Sequence, residues 1–391
     1  MRIRGAVLRT MNSPRPYTRS KPLEVVDLEL DPPGPGEVLI KLTAAGVCHS
    51  DLSVVDGNRP RPLPMLLGHE GTGTVEQVGD YVTGLDIGDH VVTVFLPRCG
   101  DCVNCRTDGK LPCERGTASN NAGYLPDFDQ PADADLPRAE TGIAELCRLH
   151  EVHGEAADST PLFHHLGVSV FADHAVVNQA SVVKIDSDVP PEVAAPLGCA
   201  VLTGGGAVIN AGRPQPGQDI MVVGLGGVGM AALITALSLD TGKVIGIDAN
   251  PDKLDTARRL GAVATYTPSE VEEHQVTAPI VIEAAGNARA FETAFRATAP
   301  GGTTVTVGLP SPTAESTIHP LLLTSEARTV IGSYLGSALP ARDVPRYVQL
   351  WRGGKLPVSE LVSSTKPLDQ INEAMDSLAE GRSIRQIILF D

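Results

Sequence analysis

Short runs of alternating apolar and polar positions, EVLIKLTAAGV, GTGTVEQVG and DHVVTVFL, are separated by Gly/Pro turns such as DPPGPGE and GDYVTGLDIGD. This pattern predicts a β-rich domain over residues 1 to about 113. From about 114 to 160 the chain turns polar and irregular, as in PDFDQPADADLPRAE. It reads there as a long surface excursion carrying one short amphipathic helix at GIAELCRLHEV. β-type runs resume at VSVFADHAVV and SVVKI, and three prolines then punctuate the approach to Cys199. From 201 to 334, strand-like DIMVVG, KVIGID, APIVIEAA and TTVTVGL alternate with helix-like GVGMAALITALSLD and PDKLDTARRLGA. That alternation predicts an α/β domain built on a doubly wound parallel sheet. The tail carries helical VPRYVQLWRGG and DQINEAMDSLAEG and strand-like IRQIILF, and is expected to complete the first domain. The expected division is thus 1–200 and 335–391 against 201–334.

Composition narrows the class. With 391 residues, 42% hydrophobic and 20% charged, the chain is long enough for two soluble domains. No apolar run is expected to approach the roughly 20 residues that cross a bilayer, and MRIRGAVLRTMNSPRP is not expected to serve as a signal peptide, so the cytoplasm is the expected location. A net charge of -16 opposes nucleic acid and anionic membranes as partners. Small molecules and other subunits remain. The strand-like ARTVIGSYLG offers an edge for pairing in a homodimer.

Three constellations carry chemistry. Gly224-Leu-Gly226-Gly227-Val228-Gly229 follows an apolar strand and opens an apolar helix, the setting in which G-x-G-x-x-G signals a dinucleotide pyrophosphate on a helix N-terminus. Asp248, about 20 residues on, suits the ribose hydroxyls of NAD and would repel the 2′-phosphate of NADP; Lys253 binds the ribose or stands solvated. Second, of seven cysteines, Cys99, Cys102, Cys105 and Cys113 crowd into one loop as C-x2-C-x2-C-x7-C. Such a set closes tetrahedrally on a structural zinc; an iron–sulfur cluster would use the same ligands, but the spacing lacks the ferredoxin pattern. Third, Cys48, His69 and Cys199 are scattered, yet together they supply the Cys2His set that leaves a catalytic zinc an open fourth position.

In combination these motifs resemble the zinc-dependent medium-chain alcohol dehydrogenases, near the liver-type and formaldehyde dehydrogenase branch, over nearly the full length. The resemblance implies a GroES-like catalytic domain beside a Rossmann domain, two zinc ions per chain, and NAD. It implies that Cys48, His69 and Cys199 bind the catalytic zinc, with Glu70 approaching the ion during ligand exchange. Asp51 would fix the His69 tautomer. Ser50 would pass the alcohol proton onward, zinc favouring alkoxide, which gives up hydride to nicotinamide. His49, Thr203 and Arg385 would contact the cofactor, Phe95 a wall of the pocket, and Arg59 its mouth, where it would favour a carboxylate-bearing substrate. Ser53 stands where many relatives end the proton relay in histidine, so water or His49 is left for that task. The branch also implies an alternative, a formaldehyde dehydrogenase acting on a glutathione or mycothiol adduct; a non-catalytic NAD-binding redox sensor would need a broken ligand set. In the excursion, Cys147, His150 and His153 at helical spacing offer a third metal site, against the plainer reading of a surface helix.

Overall fold

The computed structural model describes residues 1–128, 147–152 and 159–391. The chain forms two compact units, Met1–Cys199 with Val362–Asp391, and Ala200–Leu361.

In the first unit, strands Arg2–Leu8, Leu23–Leu30, Leu149–Val152, Ser159–His164 and Met65–Leu66 close into a small barrel. Inward positions alternate along these strands, so Ile3, Val7, Leu28, Leu30, Leu149 and Leu162 fill one core. Beside it runs a sheet in the order Val182–Ile185, His90–Thr93, Glu70–Val78, Glu37–Val47, Arg385–Leu389, Val362–Pro367, with His174–Asn178 also paired to Glu37–Val47. In the second unit six parallel strands lie in the order Ala264–Tyr266, Val244–Ile247, Ile220–Val223, Ala278–Glu283, Thr298–Thr306, Thr329–Gly332. Numbered by sequence this is 3-2-1-4-5-6, the doubly wound arrangement of dinucleotide-binding folds.

Four expectations change. Segment 335–361 belongs to the second unit. The apolar face of helix Pro340–Arg352 places Val344, Tyr347 and Val348 in contact-tight burial, and the Tyr347 ring lies where a side chain on Gly205 would project. The stretch 114–160 is not simply a surface excursion: Leu149–Val152 pairs with Leu23–Leu30 and Ser159–His164, and its leucines sit in the barrel core. Residues 142–146 of the expected helix, and His153, lie outside the described residues; its remaining part is that strand. Helical spacing therefore does not join Cys147 to His150. Cys147 is fully buried, and His150 Nε2 meets Asp31 at 2.8 Å. Finally, Pro191–Gly212 is one apolar helix of 22 residues, mean hydropathy 1.5, long enough to cross a bilayer by composition. Its most apolar 18-residue stretch is 89% buried, as in a core helix.

Candidate functional site

Strand register brings the scattered residues together. Gly46 faces Glu70 across one antiparallel pair and Val47 faces Gln386 across the other, so Cys48, His69 and Arg385 come to the same end of three adjacent strands. Cys48 then caps the helix His49–Val55, and Asp51 in its first turn accepts the Cys48 amide at 3.2 Å. Cys199 arrives from the other direction. After Pro196, which has no N–H to donate, the helix widens into a π-type turn over Leu197–Val201. Gly198 lets that turn approach the strand His90–Thr93, because a Cβ there would lie 2.0 Å from the Thr93 carbonyl.

The result is a buried cluster. Cys48, His69 and Cys199 are 6%, 0% and 4% exposed, and their ligand atoms lie within 4.8 Å of one another. Cys199 Sγ is 3.4 Å from His69 Nε2; sulfur and nitrogen on one tetrahedral zinc would be about 3.6 Å apart. His69 Nδ1 is 3.0 Å from Asp51 Oδ1, which leaves Nε2 for a metal. Asp51 also accepts the Gly68 amide at 3.2 Å.

Electrostatics agree with a cation-seeking set. The hydrogen bond from Cys199 holds the Cys48 thiol well below its ordinary pKa, with Arg385 and His69 assisting against burial. The same bond, with burial, pushes Cys199 well up. Zinc would bind both sulfurs as thiolates. Burial lowers His69, but Asp51 and Cys48 outweigh it and hold the imidazole well above its ordinary value.

Glu70 is fully buried and its Oε2 lies 3.0 Å from Arg385 Nη1, which also donates to the Val47 carbonyl at 2.9 Å. Arg385, expected at the cofactor, is 3% exposed inside the first unit. Ser50 is half-buried and His49 exposed at the start of their helix. The Ser53 hydroxyl donates to the His49 carbonyl at 2.7 Å, and Arg59 is half-buried just past that helix. Phe95 stands edge-on to His69, ring centroids 5.3 Å apart, as an apolar wall.

The four-cysteine loop closes on itself. Sulfur separations of 3.9 Å (Cys99–Cys105), 4.0 Å (Cys102–Cys113) and 3.6 Å (Cys99–Cys113) surround the about 3.8 Å expected on one tetrahedral zinc. Arg98 ties the loop by donating to the Leu111 and Asn104 carbonyls, both at 3.2 Å.

In the second unit, Gly224 turns at φ +89° where a Cβ would meet the Ala285 backbone, and a Cβ on Gly229 would collide with the Gly224 carbonyl. Gly226 differs: a Cβ there would meet nothing within 4 Å, so this glycine keeps open space at the N-terminus of the helix Gly227–Leu237. Val228 is half-buried in that first turn. A pyrophosphate fits this donor set. Asp248 accepts the Leu225 amide at 2.7 Å and the Asn250 amide at 2.8 Å, so it braces the glycine turn as well as ending its strand. Lys253 is half-buried in the next helix and Thr203 is 8% exposed.

The residues missed from the sequence are Thr93, whose hydroxyl accepts the Gly71 amide at 2.8 Å, and His165, fully buried beside Asp51. Neither stands in a motif; the His164-His165 pair, unusual in an apolar run, was the available signal.

Known proteins carry the same two parts. Residues 34–187 match the alcohol dehydrogenase GroES-like domain and residues 227–352 the zinc-binding dehydrogenase domain. Alcohol dehydrogenase class-3 of Drosophila melanogaster is 34% identical, covering 96% of this chain and 96% of that one. S-(hydroxymethyl)glutathione dehydrogenase of Escherichia coli is 33% identical over 96% of this chain and 98% of its own. The crystal structure of benzyl alcohol dehydrogenase from Acinetobacter calcoaceticus superposes with a TM-score of 0.85 at 29% identity, covering 100% of both chains. With both domains matched and relatives aligned end to end, the chain belongs to the zinc-dependent medium-chain alcohol dehydrogenases, oxidoreductases that interconvert alcohols with aldehydes or ketones using zinc and NAD.

Proposed function

We propose that Cys48, His69 and Cys199 hold the catalytic zinc of this enzyme, that Cys99, Cys102, Cys105 and Cys113 hold a structural one, and that the glycine turn 224–229 binds NAD. The observation that carries the reading is the convergence of two thiols and an imidazole, distant in sequence, within 4.8 Å in a buried cluster. When bound, zinc polarises the substrate oxygen and NAD accepts or returns the hydride. The chain's own residues do the rest. Asp51 holds His69 in the tautomer that presents Nε2 to the metal, Phe95 excludes water on one side, and the Ser50 hydroxyl passes the alcohol proton outward. The buried Arg385–Glu70 pair balances charge beneath Cys48.

A homodimer through the second unit's sheet edge is part of this reading. Strand Thr329–Gly332 is the outermost of its sheet, and Val330, Tyr334 and Leu321 are exposed. A free edge with apolar side chains is a surface that a second copy would cover.

Metal analysis tests the central assignment. Two zinc ions per chain are expected, and Cys48→Ala should keep one while abolishing turnover. A wild-type chain with one zinc, or a Cys48→Ala chain with two, overturns it.

A further inference from the structure

Beside the site lies a polar side chain to which the reaction as described gives no task. His165 follows the strand Ser159–His164 and is 1% exposed. Its backbone is pinned: its amide donates to the Ser169 hydroxyl at 2.8 Å, which donates to the Leu66 carbonyl at 2.7 Å, and its carbonyl accepts the Val168 and Ser169 amides. The turn contains two non-glycine residues in the left-handed region, Leu166 at φ 52° and Ser169 at φ 48°. Such a conformation persists where the surroundings over-determine it.

The ring this turn presents has one polar neighbour of consequence. His165 Nε2 is 3.3 Å from Asp51 Oδ1, the oxygen that His69 Nδ1 meets at 3.0 Å, and the two imidazoles stand edge-to-face with centroids 5.7 Å apart. Among the described residues neither ring nitrogen of His165 completes a hydrogen bond, and the 3.3 Å approach to Asp51 Oδ1 is the polar contact open to Nε2. A buried imidazole without a partner is costly, and an apolar ring would fill the same space at no such cost. Asp51 is therefore the physical reason for a histidine here. The backbone holds Asp51 from one side, through the Cys48 and Gly68 amides; His165 approaches it from another turn, and among the described residues it is the other imidazole beside the carboxylate, besides the metal ligand itself.

We propose that His165 is a positioning residue for the catalytic zinc: its Nε2, 3.3 Å from Asp51 Oδ1, confines that carboxylate from a second side, so that Asp51 keeps the His69 ring turned with Nε2 toward Cys48 and Cys199. This rests on the reading of those three residues as the zinc set. Groups that orient a ligand in this way change metal affinity by roughly 10–100-fold when removed.

The test compares His165→Phe, which keeps a ring and loses the donor, with His165→Gln, whose amide nitrogen reproduces Nε2. Zinc release from the full-length, zinc-loaded chain to a chromogenic chelator is followed alongside thermal melting. In His165→Phe one of the two ions should leave roughly 10-fold faster, the other at the wild-type rate, and His165→Gln should restore slow release. If Phe does not fit, His165→Leu gives the same readout. A packing role orders the variants the opposite way, Phe tolerated and Gln not. Wild-type release from the donor-less variants, or equally fast release from Gln, overturns the proposal. A wild-type chain holding one zinc that Cys48→Ala fails to remove overturns the metal reading beneath it, and the proposal with it.

Discussion

Asp51→Asn is the sharpest perturbation of the site, because it changes charge and hydrogen-bonding character and leaves volume nearly unchanged. The carboxylate is fully buried and meets three hydrogen-bonding nitrogens, the Cys48 and Gly68 amides at 3.2 Å and His69 Nδ1 at 3.0 Å, with His165 Nε2 at 3.3 Å beside them. Asparagine offers one acceptor oxygen, and its amide nitrogen would point hydrogens at donors. The Gly68 amide and His69 meet Oδ1 and the Cys48 amide meets Oδ2, so whichever oxygen becomes nitrogen at least one charge-assisted bond is lost, at about 1.5–3 kcal/mol. Part of that falls on His69, whose tautomer is no longer fixed, and should appear as a roughly 10–100-fold weaker hold on one zinc. The rest should lower the urea midpoint of the first unit. Both are measurable on one preparation, by chelator competition and by circular dichroism in urea. An Asp51→Asn chain that keeps two zinc ions with wild-type release rates would refute the argument that the carboxylate orients the metal ligand.

Two more outcomes follow from the same geometry. Asp248→Ala should raise kcat/KM with NADP relative to NAD by roughly 10-fold or more, by removing the charge that repels a 2′-phosphate, while lowering activity with both, because the Leu225 amide loses its partner; an unchanged cofactor ratio would refute the discriminating role. Burial opposes ionisation of Asp376, but the Tyr17 and Thr18 amides and the Thr18 hydroxyl hold its carboxyl below its ordinary value of 3.8. A depressed folded value contributes stability above the unfolded pKa and loses it as pH falls through the folded one. Asp376→Asn should therefore cost about 1.5–3 kcal/mol at pH 7 and progressively less below pH 4, as read from urea midpoints; a pH-independent difference would contradict it.

What the sequence discloses depends on distance along the chain. Cys99 to Cys113 and Gly224 to Gly229 are local, so spacing alone states their geometry. Cys48, His69 and Cys199 have no informative spacing, since strand register and the π-type turn bring them together; they were legible through resemblance. His165 was not, because a histidine pair in an apolar run is ambiguous until its neighbour Asp51 is known. Polar composition around 114–160 hid two barrel strands, each of which turns a single leucine, Leu149 or Leu162, into the core over a stretch too short to stand out. The helix Pro340–Arg352 belongs to the second unit, which its sequence does not disclose, because an amphipathic period reports that a face is buried and not against what.

The two metal sites differ in when they can come into being. The four cysteines span Cys99 to Cys113 and need only their own loop to close, a small entropic cost, so this ion can be captured by an incomplete chain. The other centre needs Cys48, His69 and Cys199, and its wall includes Arg385 on a strand near the far end of the sequence. Loading of the reactive ion thus reports that the first unit has finished folding, whereas occupancy of the cysteine loop does not.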